Sequence, residues 1–152
     1  MFPANCDAQI VGMVWQAHCR IGGRFMISLE VFEEYTMETA DSFPEVFFRE
    51  LNGGVMVREY SRLHPAALDH DLFVLGEYNH DRYLGRFIVL YYGSFVNCFT
   101  CSDEELRVQI RKVLLHEFRH HLESLAGERD LELEDAAELT QYRARKAESK
   151  KA

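Results

Sequence analysis

The stretch "VLLHEFRHHLESLAG", Val113–Gly127, decides how this chain of 152 residues is read. Three of its seven histidines, His116, His120 and His121, fall within six positions of an otherwise apolar segment. In a helix a four-residue step turns only about 40° past a full turn, so His116 and His120 share one face. Two imidazoles one turn apart can clamp a Zn2+ ion, and a glutamate directly behind the first can take a proton from an attacking water. Glu117 stands there, completing HExxH. The motif predicts His116 and His120 as metal ligands and Glu117 as general base. Read instead as core histidines, the same residues would leave two imidazoles and a carboxylate buried without partners, which is costly. His121, about 100° round from His120, reads as a packing or hydrogen-bonding residue.

Working outward, Ser102-Asp103-Glu104-Glu105 is a capping box that launches the motif's helix, and Gly127 is its stop. Leu106, Ile110, Val113, Leu114, Leu115, Phe118, Leu122 and Leu125 make that helix apolar around much of its circumference, as expected of a central buried helix. Three strand-like segments precede it, Val55–Tyr60, Asp71–Glu77 and Gly85–Phe95, with "YNHDRYLG" reading as a turn. Before them, Ser28 caps a helix whose Leu29, Phe32, Tyr35, Thr36, Ala40 and Phe43 share a face. Pro44 opens a short second helix that Asn52-Gly53-Gly54 stops. After the motif and an acidic link, Glu134–Lys146 forms a last helix. Helices, strands, helices: the pattern predicts an α+β domain, a small three-stranded sheet packed on helices around the HExxH helix.

Composition sets the class. Hydrophobic content of 47% and charged content of 28% are ordinary for a soluble domain, and the length is one domain's worth. A net charge of −8 argues against nucleic acid or an anionic membrane as partner. The basic cluster Arg143, Arg145, Lys146, Lys150 and Lys151 reads as a solvated helix end or tail. No apolar run reaches the roughly 18 residues of a membrane span, and the first residues carry Asp7 rather than a basic signal region. The expected compartment is the cytoplasm, with reduced cysteines. Cys98-x-x-Cys101 has no second such pair, since Cys6 and Cys19 do not make one, and reads as two ordinary thiols. Periodicity begins at Met26, which is expected to be the start of the functional domain, with residues 1–25 an N-terminal extension, 26–147 the domain and 148–152 a tail.

A catalytic zinc site takes three protein ligands and leaves the fourth position to water. The acidic run "GERDLELEDAAEL", Gly127–Leu139, is the obvious source of the third. A donor returning from beyond the helix approaches at the wide angle tetrahedral zinc requires. Glu123 returns nearly to the face of His116 but one turn further along, and is better placed to hydrogen-bond a histidine. Nothing recommends His18, His64, His70 or His80 as ligands.

The segment "GRFIVLYYGSFVNCFTCSDEELRVQIRKVLLHEFRHHLESLAGERDLELEDAAEL" resembles the core of the small bacterial zincin-like metallopeptidases. Members of that family pair a "RIVLY-G-F" strand with a helix bearing HExxHH and an acidic segment after it. The resemblance covers about residues 27–140 and is clearest after 85. It implies zinc held by His116 and His120, with Glu117 as base. It departs where Leu122-Glu123 replaces the family's aromatic-Gly pair and the helix runs on to Gly127. With those residues as an insertion, Glu134-Asp135 matches the family's acidic pair, which implies Asp135 as third ligand, ahead of Glu134 and then Glu123. In zincins the strand before the active helix is a sheet edge that pairs with an extended peptide; here that strand would be Gly85–Gly93. Tyr91 or Tyr92 could offer a hydroxyl to a developing oxyanion. The expected function is a zinc-dependent metallopeptidase hydrolysing a peptide or protein substrate by metal-activated water. The rivals are a zincin-fold zinc-binding or regulatory protein with little hydrolytic activity, and a non-zinc, metal-stabilised helical domain with structural histidines.

Overall fold

Ser28 starts the first helix, α1 (Leu29–Asp41), because its hydroxyl accepts the Val31 N–H at 3.3 Å and satisfies a first-turn donor. The helix buries Phe32, Thr36 and Ala40. In this computed structural model residues 27–99 and 102–151 are described, together with the backbone of two short strands, β1 (Ile10–Val11) and β2 (Val14–Gln16). The rest of residues 1–26, Thr100, Cys101 and Ala152 lie outside the described residues. Where a short second helix was expected after Pro44, the chain makes a single 3-10 turn, Glu45–Phe48. It brings Phe47 and Phe48 to within 5.7 and 5.0 Å of the Phe118 ring, with Phe43 at 5.4 Å. Four aromatic rings thus close one end of the core.

Five strands follow: β3 (Gly54–Arg58), β4 (Arg62–Leu63), β5 (Leu72–Val74), β6 (Gly76–Asp81) and β7 (Gly85–Tyr91). They divide into two sheets. One has the order β3-β7-β6, with β3 parallel and β6 antiparallel to β7; the other has the order β1-β2-β5-β4. The expected strand Asp71–Glu77 is therefore two strands: Leu75 separates β5 from β6, and each joins a different sheet. "YNHDRYLG" is corrected as well. It continues β6 through Asp81, paired residue by residue with β7, and only then turns. The Asp81 carboxylate accepts the N–H groups of Tyr83 and Leu84 at 2.6 and 2.9 Å, and Gly85 takes a φ of 72° to re-enter the sheet. The third strand ends at Tyr91 rather than Phe95, giving way to α2 (Tyr92–Cys98). At that junction Gly93 lies so close to the backbone of Tyr60 and Ser61 that no Cβ would fit. Cys98, partly buried against the core beyond it, has its thiol pushed well above the ordinary value by desolvation.

The central helix α3 (Asp103–Ala126) is capped at one end by Ser102, which accepts the Glu105 N–H at 3.3 Å. The Glu105 carboxylate accepts from Gln109 (2.7 Å). At the other end Gly127, at φ 75°, lets the N–H groups of Gly127 and Glu128 reach the carbonyls of Ser124 and Glu123. The helix buries Leu106, Ile110, Val113, Leu114 and Phe118, but it is not enclosed all round: Leu115 is 41% exposed. Its buried face packs with Phe32, Leu75, Ile88, Leu90 and Phe95 in one continuous core.

Three residues later α4 (Asp130–Ser149) begins, four residues earlier than expected and running three residues further. The acidic link is largely its first turn, where Asp130 and Glu132 complement the positive end of the helix dipole. Towards its far end Tyr142 donates to Asp71 at 2.7 Å, and Lys146 bridges Asp69 and Asp71 at 2.7 Å each. Lys146 is thus part of a fixed contact between α4 and the segment before β5, not of a solvated tail. No helix among the described residues is long and apolar enough to cross a membrane.

Candidate metal centre

The helical hairpin of α3 and α4 assembles the site. His116 and His120 stand one turn apart with ring centroids 4.8 Å from each other. Asp135, near the start of α4, places a single oxygen, Oδ2, 3.2 Å from His116 Nε2 and 2.9 Å from His120 Nε2. Donor atoms of all three lie within 4.8 Å of one another. A tetrahedral zinc with arms of ~2 Å has ligand–ligand edges of about 3.3 Å, so two nitrogens and an oxygen this close fit such an ion with small adjustments. The charges agree. Burial alone would raise Asp135, but hydrogen bonds from the two imidazoles bring it down to about 2. Burial opposes a charge on His120, yet its hydrogen bond to Asp135 holds it above the ordinary imidazole value.

Glu117 completes the geometry. It is 2% exposed, and among the described residues no group hydrogen-bonds to it. Desolvation pushes its carboxyl up to about 7 against the pull of His116 and His120. It faces an open cavity of about 330 Å3, whose wall also includes His116, His120, Asp135, His64 and the Gly76–Tyr78 segment of β6.

Two carboxylates considered as ligands do other work. Glu123 accepts the Leu131 N–H at 2.9 Å and Arg119 Nε at 3.1 Å, bracing the first turn of α4 rather than bonding a histidine. Glu134 receives both terminal nitrogens of Arg119, each at 3.3 Å. His121 is fully buried, its Nε2 donating to the Arg49 carbonyl (2.8 Å) and its Nδ1 facing the Tyr78 hydroxyl (3.2 Å).

Comparison with known proteins bears on the family. Residues 68–140 match the family model of the zincin-like metallopeptidases. A solved structure, a conserved hypothetical protein from Thermus thermophilus, is 36% identical over 66% of this chain and 98% of its own, with a TM-score of 0.56. This chain belongs to the zincin-like metallopeptidase family. No curated protein matches it.

In this zincin-like domain the sheet edge beside the site is not the strand the sequence suggested. β7 is the middle strand of its sheet, and β6 is the edge that lines the cavity. Gly76 makes that possible. A Cβ there would stand 2.7 Å from Val113 Cγ1, 2.9 Å from Leu90 Cδ2 and 3.3 Å from Glu117 Cγ. A glycine inside a strand pattern signals such a close approach, and "VLGE" carried that signal. Both tyrosine hydroxyls are already engaged. The Tyr91 hydroxyl sits between Arg62 (3.0 Å) and Glu77 (3.2 Å), and Tyr92 donates to the Ile27 carbonyl at 2.7 Å. His64 is the residue the sequence passed over. It reaches the cavity from the end of β4, and nothing in its local sequence marks it.

Proposed function

We propose that this protein is a zinc-dependent metallopeptidase that hydrolyses a peptide bond with Glu117 as general base. Glu117 carries the reading: a carboxylate buried without a partner beside a His-His-Asp cluster is costly, and a merely structural site has no use for it. His116, His120 and Asp135 would hold the ion, and two imidazoles with a carboxylate suit zinc. Bound there, zinc supplies Lewis-acid polarisation and a lowered pKa for water. Glu117 accepts the proton released when water attacks the carbonyl carbon and delivers it to the leaving amine nitrogen. The outer edge of β6 offers unpaired backbone groups to an extended peptide, laying its scissile bond past Glu117. The partner is thus a peptide or protein rather than nucleic acid or membrane, and the working unit is residues 26–147, acting in the cytoplasm. Protein purified without added metal is expected to contain one zinc per chain. Stripping the zinc with a chelator should lower the melting temperature, and restoring it should raise the melting point again. Protein that carries no transition metal and shows no thermal shift with zinc rejects the proposal.

A further inference from the structure

We propose that His64 is a catalytic hydrogen-bond donor, its Nε2–H meeting the carbonyl oxygen that gains negative charge as water adds. This rests on the metallopeptidase reading and adds the electrophilic partner that Glu117 and the metal ligands do not provide.

His64 shares the cavity wall with His116, Glu117, His120 and Asp135. Its ring is oriented by its own backbone turn: Nδ1 accepts the Ala66 N–H at 3.0 Å. In a neutral imidazole an accepting Nδ1 leaves the proton on Nε2. Among the described residues that Nε2 meets no hydrogen-bonding partner, so a donor is presented with nothing to donate to. The main chain holds it in place as well. The His64 N–H donates to the Leu72 carbonyl at 2.8 Å, and the His64 carbonyl accepts from Ala67 at 2.9 Å. The segment is anchored in turn to α4, through Leu68 N–H to the Tyr142 hydroxyl (3.2 Å) and through the Lys146 bridge to Asp69 and Asp71. Desolvation first, then the charges of Arg143 and Arg62 acting against Glu77, keeps the ring below its ordinary value, so it is neutral near pH 7. A neutral, pre-oriented N–H on the cavity wall is what stabilises a developing oxyanion without reorganisation.

The test compares wild type, His64→Phe and His64→Gln in the zinc-loaded protein, with two probes. One is a phosphinic tripeptide selected from a mixed pool for binding to wild type, which places anionic oxygens on a tetrahedral centre. The other is 2-mercaptoethanol, which engages the metal alone. His64→Phe should weaken the phosphinic peptide about 10²-fold, with zinc content and thiol binding unchanged. His64→Gln, which keeps an N–H donor, should recover most of that loss. Nitrogen-resolved NMR of the metal-free protein should find the His64 proton on Nε2. Equal phosphinate binding by wild type and His64→Phe, or a proton on Nδ1, overturns the role of His64 and leaves the metallopeptidase reading standing. If no member of the pool binds a wild type that does bind the thiol, the metallopeptidase reading fails and His64 falls with it. Should His64→Phe not fold, full phosphinate affinity in His64→Ala overturns the proposal equally.

Discussion

Glu117 lies only one position from His116, yet it meets the His116-His120-Asp135 cluster from a different direction. Helical geometry turns successive residues by about 100°, which puts the carboxylate against β6 while the histidines face α4. Replacing it with glutamine preserves shape and removes basicity. Glu117→Gln is expected to keep one zinc per chain while kcat for peptide hydrolysis falls by about 10²–10⁴-fold, measured by metal analysis beside a cleavage assay. Asp135 and Glu134 are neighbours whose surroundings separate them. Asp135 faces both histidines, and Glu134 pairs with Arg119 on the surface. Chelator competition should show Asp135→Ala losing more than the roughly 10–100-fold in zinc affinity that a supporting partner costs, and Glu134→Ala losing almost none. The reverse order would move the ligand to Glu134.

At the scale of elements, the site is a join between a helical hairpin and a strand edge. Gly127 ends α3 so tightly that α4 starts three residues later, and Glu123 ties the new first turn back to α3. β6 can lie flush on α3 only because Gly76 has no side chain there. Gly76→Ala should push against Val113 and Leu90, costing about 1–3 kcal/mol of stability. It should also lower activity more than zinc affinity, because the methyl group lands beside Glu117 and not beside the ligands. Unfolding in denaturant, together with zinc titration and a cleavage assay, checks it. An unchanged midpoint would mean that strand and helix separate at no cost.

For the whole molecule, the question is which residues the domain needs. Among the described residues the continuous core around α3 draws on positions from Ile27 to Phe118, while β2 stands between β1 and β5 in the second sheet and adds backbone pairing to β5. A chain beginning at Met26 is therefore expected to unfold cooperatively and to keep its zinc, with a lower melting temperature from the lost β2–β5 pairing. A Met26–Ala152 protein that does not fold would put residues 1–25 inside the domain.

Helices were the most legible part of the sequence, since their signals are local. Ser28 and Ser102 cap within one turn, Gly127 stops within one turn, and the four-residue step of HExxH brings His116 and His120 to one face whatever else the chain does. Strands were less legible because their partners are remote. The polar run Tyr78–Asp81 pairs as a strand only because β7 supplies its ladder. The division of residues 71–77 between two sheets depends on neighbours far along the chain. Asp135 came from the family's acidic pair and not from any local rule. Its meeting with His116 and His120 needs a hairpin whose angle is set by side chains on both helices. His64 and Gly76 stand far before the motif in the chain, and they enter the cavity only when sheet and helix pack. A local rule sees neighbours a turn away, so it finds His116, Glu117 and His120; the rest of the cavity wall is brought to them by tertiary packing alone.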